Sequence, residues 1–195
     1  MASSPRKKVL VLLTGGAEST ALLYHAINEG VDVEAVHFEF SNASAAETGT
    51  CKTICNHLNI PLRIPMFNFN NSKDEQPMRV LDLMNWLPLA AITASRLQPD
   101  EVWYGASMAD NVSMVGHIES VFDNMLSIRK KVKQKDIQIE APLWNRKKID
   151  QYNMIDVDIQ SKLVYCFEDK LNPCGKCDKC KQWKIYVRDA EQKAP

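Results

Sequence analysis

The chain is 195 residues long, 45% hydrophobic, and carries 24 basic and 24 acidic side chains, so its formal charge is zero. That length supports one sizeable core and is short for two. The neutral balance gives no field to gather nucleic acid, and no run approaches the ~18 consecutive apolar residues of a membrane helix, so neither a direct nucleic-acid partner nor a membrane is expected.

The chain opens on the basic stretch Met1 to Lys8, but the apolar run after it, Val9 to Leu13, is too short for a secretory signal and is needed as a strand. A cytoplasmic location is expected. The pattern predicts a strand from Lys8 to Leu13, a helix from Ser19 to Glu29 closed by Gly30, and a strand from Val33 to Phe40. Such a βαβ unit implies a parallel sheet.

Between the first strand and helix stands Thr14-Gly15-Gly16-Ala17-Glu18-Ser19-Thr20. Adjacent glycines let the backbone approach an anion, and the amides of the turn and the following helix N-terminus point at it with a favourable dipole. ATP is the natural candidate. The spacing is neither GxxxxGK[ST] nor GxGxxG. The plain alternative is a glycine turn with Ser19 or Thr20 as helix cap.

Farther on, a helix is expected from about Ala45 to Leu58, with Cys51 and Cys55 on one face as small buried residues, then a strand from Leu62 to Met66. Residues 68–76 read as a polar loop, and Leu87 to Leu97 as an apolar helix with Pro88 in its first turn. Glu101 to Gly105 reads as a buried strand, about Glu119 to Val132 as a helix, and Ile137 to Ala141 as a strand stopped by Pro142. The basic runs Arg129-Lys130-Lys131 and Arg146-Lys147-Lys148 read as solvated faces.

Near the end, Cys166, Cys174, Cys177 and Cys180 are spaced C-x7-C-x2-C-x2-C around Gly175. Four converging thiolates suit a closed tetrahedral Zn2+ site, with an iron–sulfur cluster, or free or redox thiols, as the alternatives. Lys176, Lys179 and Lys181 would offset the thiolate charge. The chain divides into residues 1–160, an ATP-binding α/β unit, and residues 161–195, a metal-binding segment packed on it.

The Thr14 to Thr20 loop resembles the Ser-Gly-Gly-x-Asp-Ser-Thr loop of PP-loop (N-type) ATP pyrophosphatases, with Thr14 for Ser and Glu18 for Asp. Together with the cysteine tail it resembles the 7-cyano-7-deazaguanine synthase family of queuosine precursor synthesis, over most of the chain. Asn85 before an apolar helix, Gly105-Ala106 with Asp110, Ile139-Glu140-Ala141-Pro142-Leu143 and the following Lys148 are similar to family segments. The chain departs at Phe40 to Ser44, keeping only Glu47 of the family's polar run, at Met84 where the family has Arg, and at Met114 to Glu119.

The resemblance implies an α/β fold with a doubly wound parallel sheet of the adenine nucleotide alpha hydrolase-like type. It implies an ATP-dependent ligase joining 7-carboxy-7-deazaguanine and ammonia through an adenylated carboxylate to give 7-cyano-7-deazaguanine. A related ligase acting on another carboxylate or stopping at the amide, and a zinc-stapled nucleotide-binding protein without catalysis, are the competing readings. It assigns ATP to Thr14, Gly15, Gly16, Ala17, Ser19 and Thr20, catalysis to Glu18, Ser19 and Lys148 with Mg2+, and substrate contacts to Glu47, Asn85 and Asp110. It also suggests a homodimer.

Overall fold

Val9 to Leu13 are buried on both faces, between 0% and 2% exposed, as the central strand of a parallel sheet requires. In this computed structural model, which describes residues 5–40, 45–67, 82–107, 120–122, 124, 136–166 and 172–191, alternation sends successive side chains of that strand into different cores. Val9, Val11 and Leu13 join a cluster with Leu22, Leu23, Ile54 and Tyr152, while Leu10 and Leu12 join one with Ala90, Ala94, Tyr104 and Phe122. Helices therefore cover both faces of the sheet.

The strand is β1, Lys8–Leu12, followed by α1, Ala17–Glu29, and β2, Asp32–Val36. Next come β3, Glu39–Phe40; α2, Ala45–Leu58; β4, Leu62–Arg63; β5, Met66–Phe67; α3, Asp82–Leu97; β6, Glu101–Trp103; and β7, Gln138–Glu140. Three helices close the chain, α4 at Lys148–Tyr152, α5 at Val157–Gln160 and α6 at Asp178–Glu191. The five-stranded sheet has the order β4-β2-β1-β6-β7 and every pairing is parallel. Strand order reverses between β1 and β6, so the crevice beyond their carboxyl ends is where this architecture receives ligands.

Several elements differ from expectation. The second strand ends at Val36, and Glu39–Phe40 pairs instead with Met66–Phe67 in a separate two-stranded sheet. The expected strand Leu62 to Met66 is divided in the same way. Helix α1 begins at Ala17, with Gly16 as an N-cap that makes no side-chain cap bond, so neither Ser19 nor Thr20 caps it. Gly30 closes it at φ 67°, the left-handed conformation suited to glycine. Helix α3 begins at Asp82, which puts Pro88 in its interior rather than in its first turn. The expected loop at 68–76 and most of the helix from 119 to 132 lie outside the described residues. Among the described residues, no helix is long and apolar enough to cross a membrane.

Candidate functional site

Beyond β1 the chain turns through Thr14, Gly15 and Gly16 into α1, and this loop is braced from within. The Thr14 amide donates to Ser19 Oγ at 3.1 Å, Ser19 Oγ lies 2.9 Å from Thr14 Oγ1, and the Ser19 hydroxyl donates to the Gly16 carbonyl at 3.3 Å. Ser19, 4% exposed, is thus a strut of the loop. The Thr20 amide donates to the Gly16 carbonyl at 3.0 Å, and its fully buried hydroxyl has no hydrogen-bond partner among the described residues. The first-turn amides of α1 have no intrahelical acceptors by geometry, and Gly16, Ala17 and Glu18 line the cleft described below.

Two glycines set the shape. Gly15 sits at φ 79°, and a Cβ there would stand 3.0 Å from Val164 Cγ2 and 3.3 Å from Thr50 Cγ2. Gly105, just after β6, packs directly on the helix start, since a Cβ would meet the Ser19 nitrogen at 2.7 Å and the Glu18 carbonyl carbon at 2.8 Å. This contact joins the loop to the neighbouring strand at the point where strand order reverses.

Glu18 points from the first turn of α1 to Lys148 at the start of α4, with Oε1 and Nζ 2.8 Å apart. The lysine side chain is 9% exposed and the glutamate 24%. Burial raises the Glu18 carboxyl, but the Lys148 ammonium, aided by Lys179, outweighs it and holds the group below its ordinary value. Arg146 and Lys147 are exposed, as a solvated run should be, whereas Lys148 is not. Helix α4 is anchored by Gln151, which is fully buried and donates through Nε2 to the carbonyls of Ala106 at 3.1 Å, Leu143 at 3.0 Å and Arg146 at 3.3 Å.

On the other side of the loop, fully buried His37 places Nδ1 2.9 Å from the Leu13 carbonyl and Nε2 3.2 Å from Thr48 Oγ1. The carbonyl can only accept, so Nδ1 carries a proton and donates to it. Glu47, in the first turn of α2, precedes that threonine. Asn85 lies within α3 and its side chain is not among those described; Asp110 lies outside the described residues.

The four cysteine sulfurs lie within 4.8 Å of one another. Cys166 and Cys177 are 4.0 Å apart and Cys174 and Cys180 3.9 Å, close to the ~3.8 Å separation that tetrahedral bonds of about 2.3 Å impose. Amides of Cys174, Cys177 and Cys180 donate to the sulfurs of Cys166, Cys174 and Cys177 at 3.3 to 3.4 Å, which favours thiolates. The donor set fits a metal. Cys51 and Cys55 are buried in the core, and burial pushes both thiols up, Cys55 to about 12.

The loop and the cysteine cluster are contiguous. The Val164 amide donates to the Gly15 carbonyl at 3.0 Å, two residues before Cys166. Tyr165, between them, stacks on Trp183 of α6 with centroids 4.2 Å apart, and Trp183 meets Tyr152 of α4 edge-on at 5.1 Å. One cleft is lined by Gly16, Ala17, Glu18 and Lys148 on one side, and by Tyr165, Lys179 and Trp183 on the other. Nothing in the sequence pattern marked Gln151, the aromatic trio or His37, which falls inside the expected strand Val33 to Phe40.

A family model described as queuosine biosynthesis protein QueC matches residues 8–76 and 63–186. A 7-cyano-7-deazaguanine synthase of Thermoplasma volcanium is 25% identical over 201 residues, covering 89% of this chain and 83% of its own. Among solved structures, the U34-tRNA thiolase NcsA of Methanococcus maripaludis, carrying a four-iron, four-sulfur cluster, is similar at TM-score 0.53 and 13% identity over 98% of this chain and 68% of its own. A 4-thiouridine synthetase in complex with RNA and ATP is similar at TM-score 0.56 and 18% identity over 95% of this chain and 52% of its own. These two likenesses concern the fold alone.

Proposed function

The chain belongs to the QueC family of queuosine biosynthesis proteins, and on that premise we propose that it is an ATP-dependent ligase making 7-cyano-7-deazaguanine from 7-carboxy-7-deazaguanine and ammonia. The observation that carries this reading is the cleft at the strand-order reversal, where the helix start, Glu18 and Lys148 face one another.

A carboxylate is a poor electrophile because its leaving group would be oxide. In the proposed course a carboxylate oxygen attacks the α-phosphorus of ATP and pyrophosphate departs. Ammonia then adds to the acyl carbon and AMP leaves, giving the amide. The amide oxygen attacks a second ATP with loss of pyrophosphate, and departure of AMP with the two amide protons leaves the nitrile. The protein's part is positioning and stabilisation of phosphate charge. Thr14, Gly15, Gly16 and Ala17 supply the cradle, with Ser19 and Thr20 maintaining its shape. Lys148 is the point cation toward the phosphates, held in place by Glu18, which is also the carboxylate available to Mg2+. Glu47, Asn85 and Asp110 are the candidates for the base or ribose.

We assign the four thiolates to a single Zn2+. A cluster that binds each thiolate to a different iron needs the sulfurs spread farther apart than the 4.8 Å limit observed. Bound there, zinc supplies folding energy and fixes α6 beside the loop.

The departures at Phe40 to Ser44, Met84 and Met114 to Glu119 favour a second reading, a ligase that stops at the amide. Mass spectrometry of the purified protein with 7-carboxy-7-deazaguanine, ammonium, Mg2+ and ATP separates the two. Nitrile with AMP and pyrophosphate is the expected result. Amide with AMP supports the second reading, and the absence of AMP and of any new base removes both.

A further inference from the structure

Three lysines stand among the last three cysteines and just after them, and they are not equivalent. Lys176 and Lys181 are exposed, and Lys181 pairs with Asp178 at 3.5 Å. Lys179 is half-buried and lines the same cleft as Gly16, Ala17, Glu18 and Lys148. Its charge reaches Glu18, whose carboxyl it helps to hold down. Its backbone is fixed on both sides by cysteines of the cluster, Cys177 and Cys180, the latter 1% exposed.

The charge balance of the cleft gives this placement a consequence. Glu18 and Lys148 form a pair of zero net charge. A polyphosphate entering against that pair would meet one cation, Lys148, already facing the Glu18 carboxylate, together with the dipole of α1. Lys179 is a second cation in the lining of that cleft, and it comes from the metal-binding segment rather than from the sheet. We propose that Lys179 is a second cation of the polyphosphate site, delivered by the metal-binding segment, so that phosphate recognition is divided between the N-terminal loop and the cysteine cluster. This rests on the ATP-using reading above and adds to it a contact that the loop does not contain.

The test uses the metal-loaded full chain, with calorimetric titration of pyrophosphate and of ATP and with metal content and melting temperature measured on each variant. Lys179→Gln is expected to weaken pyrophosphate binding roughly tenfold, the effect of losing one charge-assisted contact, with metal content and melting temperature unchanged. Lys179→Arg should recover most of the affinity, Lys176→Gln should change nothing, and added salt should narrow the gap between Lys179→Gln and the unaltered chain. Undiminished pyrophosphate affinity in Lys179→Gln would overturn the proposal. So would loss of metal in that variant, which would make the lysine a counter-charge to the thiolates. If the unaltered chain binds neither pyrophosphate nor ATP, the nucleotide reading itself fails; if it binds both and Lys179→Gln matches it, only the second cation does.

Discussion

Glu18 Oε1 and Lys148 Nζ meet at 2.8 Å across the mouth of the cleft, tying the first turn of α1 to the first turn of α4. The glutamate stands where PP-loop enzymes usually have aspartate, and its extra methylene gives the carboxylate the length to meet a lysine that comes from a distant part of the chain. Because its carboxyl is held below its ordinary 4.5, the folded state binds the proton less readily than the unfolded one. Stability from this group is therefore complete above pH 4.5 and drains away as pH falls through the lower folded value. Denaturant unfolding from pH 7 to pH 3 should show a gap between the native chain and Glu18→Gln that closes toward the acid end. A gap of constant size would mean that the pair contributes nothing through ionisation.

Lys148→Met keeps the length of the side chain and removes its charge, leaving the Glu18 carboxylate facing the cleft. AMP formation should fall on the order of a hundredfold, the usual cost of deleting one electrostatic contact to a reacting phosphate. Stopped assays of AMP release by the variant and the unaltered chain check this. Retained turnover would remove Lys148 from the proposed machinery.

Gly105 and Gly49 should respond oppositely to alanine. At Gly105 the new Cβ meets backbone atoms of Ser19 and Glu18 under 3 Å away, so the helix start must move, costing about 1–3 kcal/mol and weakening ATP binding. At Gly49, inside α2, nothing lies within 4 Å, and Gly49→Ala should raise stability by up to ~1 kcal/mol. Thermal unfolding of the two variants side by side is the measurement.

Gln151→Leu removes three hydrogen bonds at once and leaves buried carbonyls at Ala106 and Leu143 without that donor. A loss of about 2–4 kcal/mol is expected. Since Ala106 follows Gly105 and Lys148 shares α4, ATP binding should weaken as well. Chemical denaturation and ATP titration of the same preparation test both effects.

Removal of the metal should release α6 from the cleft. Metal analysis is expected to find one ion per chain, and a strong chelator should lower the melting temperature and weaken ATP binding together, because Val164 and Cys166 stand two residues apart and Val164 holds Gly15. Cys174→Ser should behave like the chelated chain. ATP binding that survives full metal loss would separate the two parts of the site.

The central βαβ unit was legible because its signals are local: an unbroken apolar run for β1, helical periodicity for α1, and Gly30 where a left-handed residue is needed. The loop and the cysteine spacing were legible for the same reason. Elements set by partners were not. The pairing of Glu39–Phe40 with Met66–Phe67 is a choice made in space, and α4 and α5 are too short to show a period. Gln151 was invisible because a glutamine that satisfies two nearby carbonyls and the distant one of Ala106 looks, in sequence, like any surface glutamine. Pro88 misled in a definite way, since a proline that ordinarily marks a helix start here lies inside α3.

The hydrogen bond from Val164 to Gly15 joins the loop after the first strand to the segment that leads into the cysteine cluster. Closing a loop of that length costs entropy that other structure must offset. The last support of that turn therefore comes from a segment remote in the sequence. On the proposed reading ligand and metal both steady this one contact, so whichever arrives first raises the apparent affinity for the other. On that reading, a chain without its metal would hold Gly15 less firmly, and nucleotide would compensate in part.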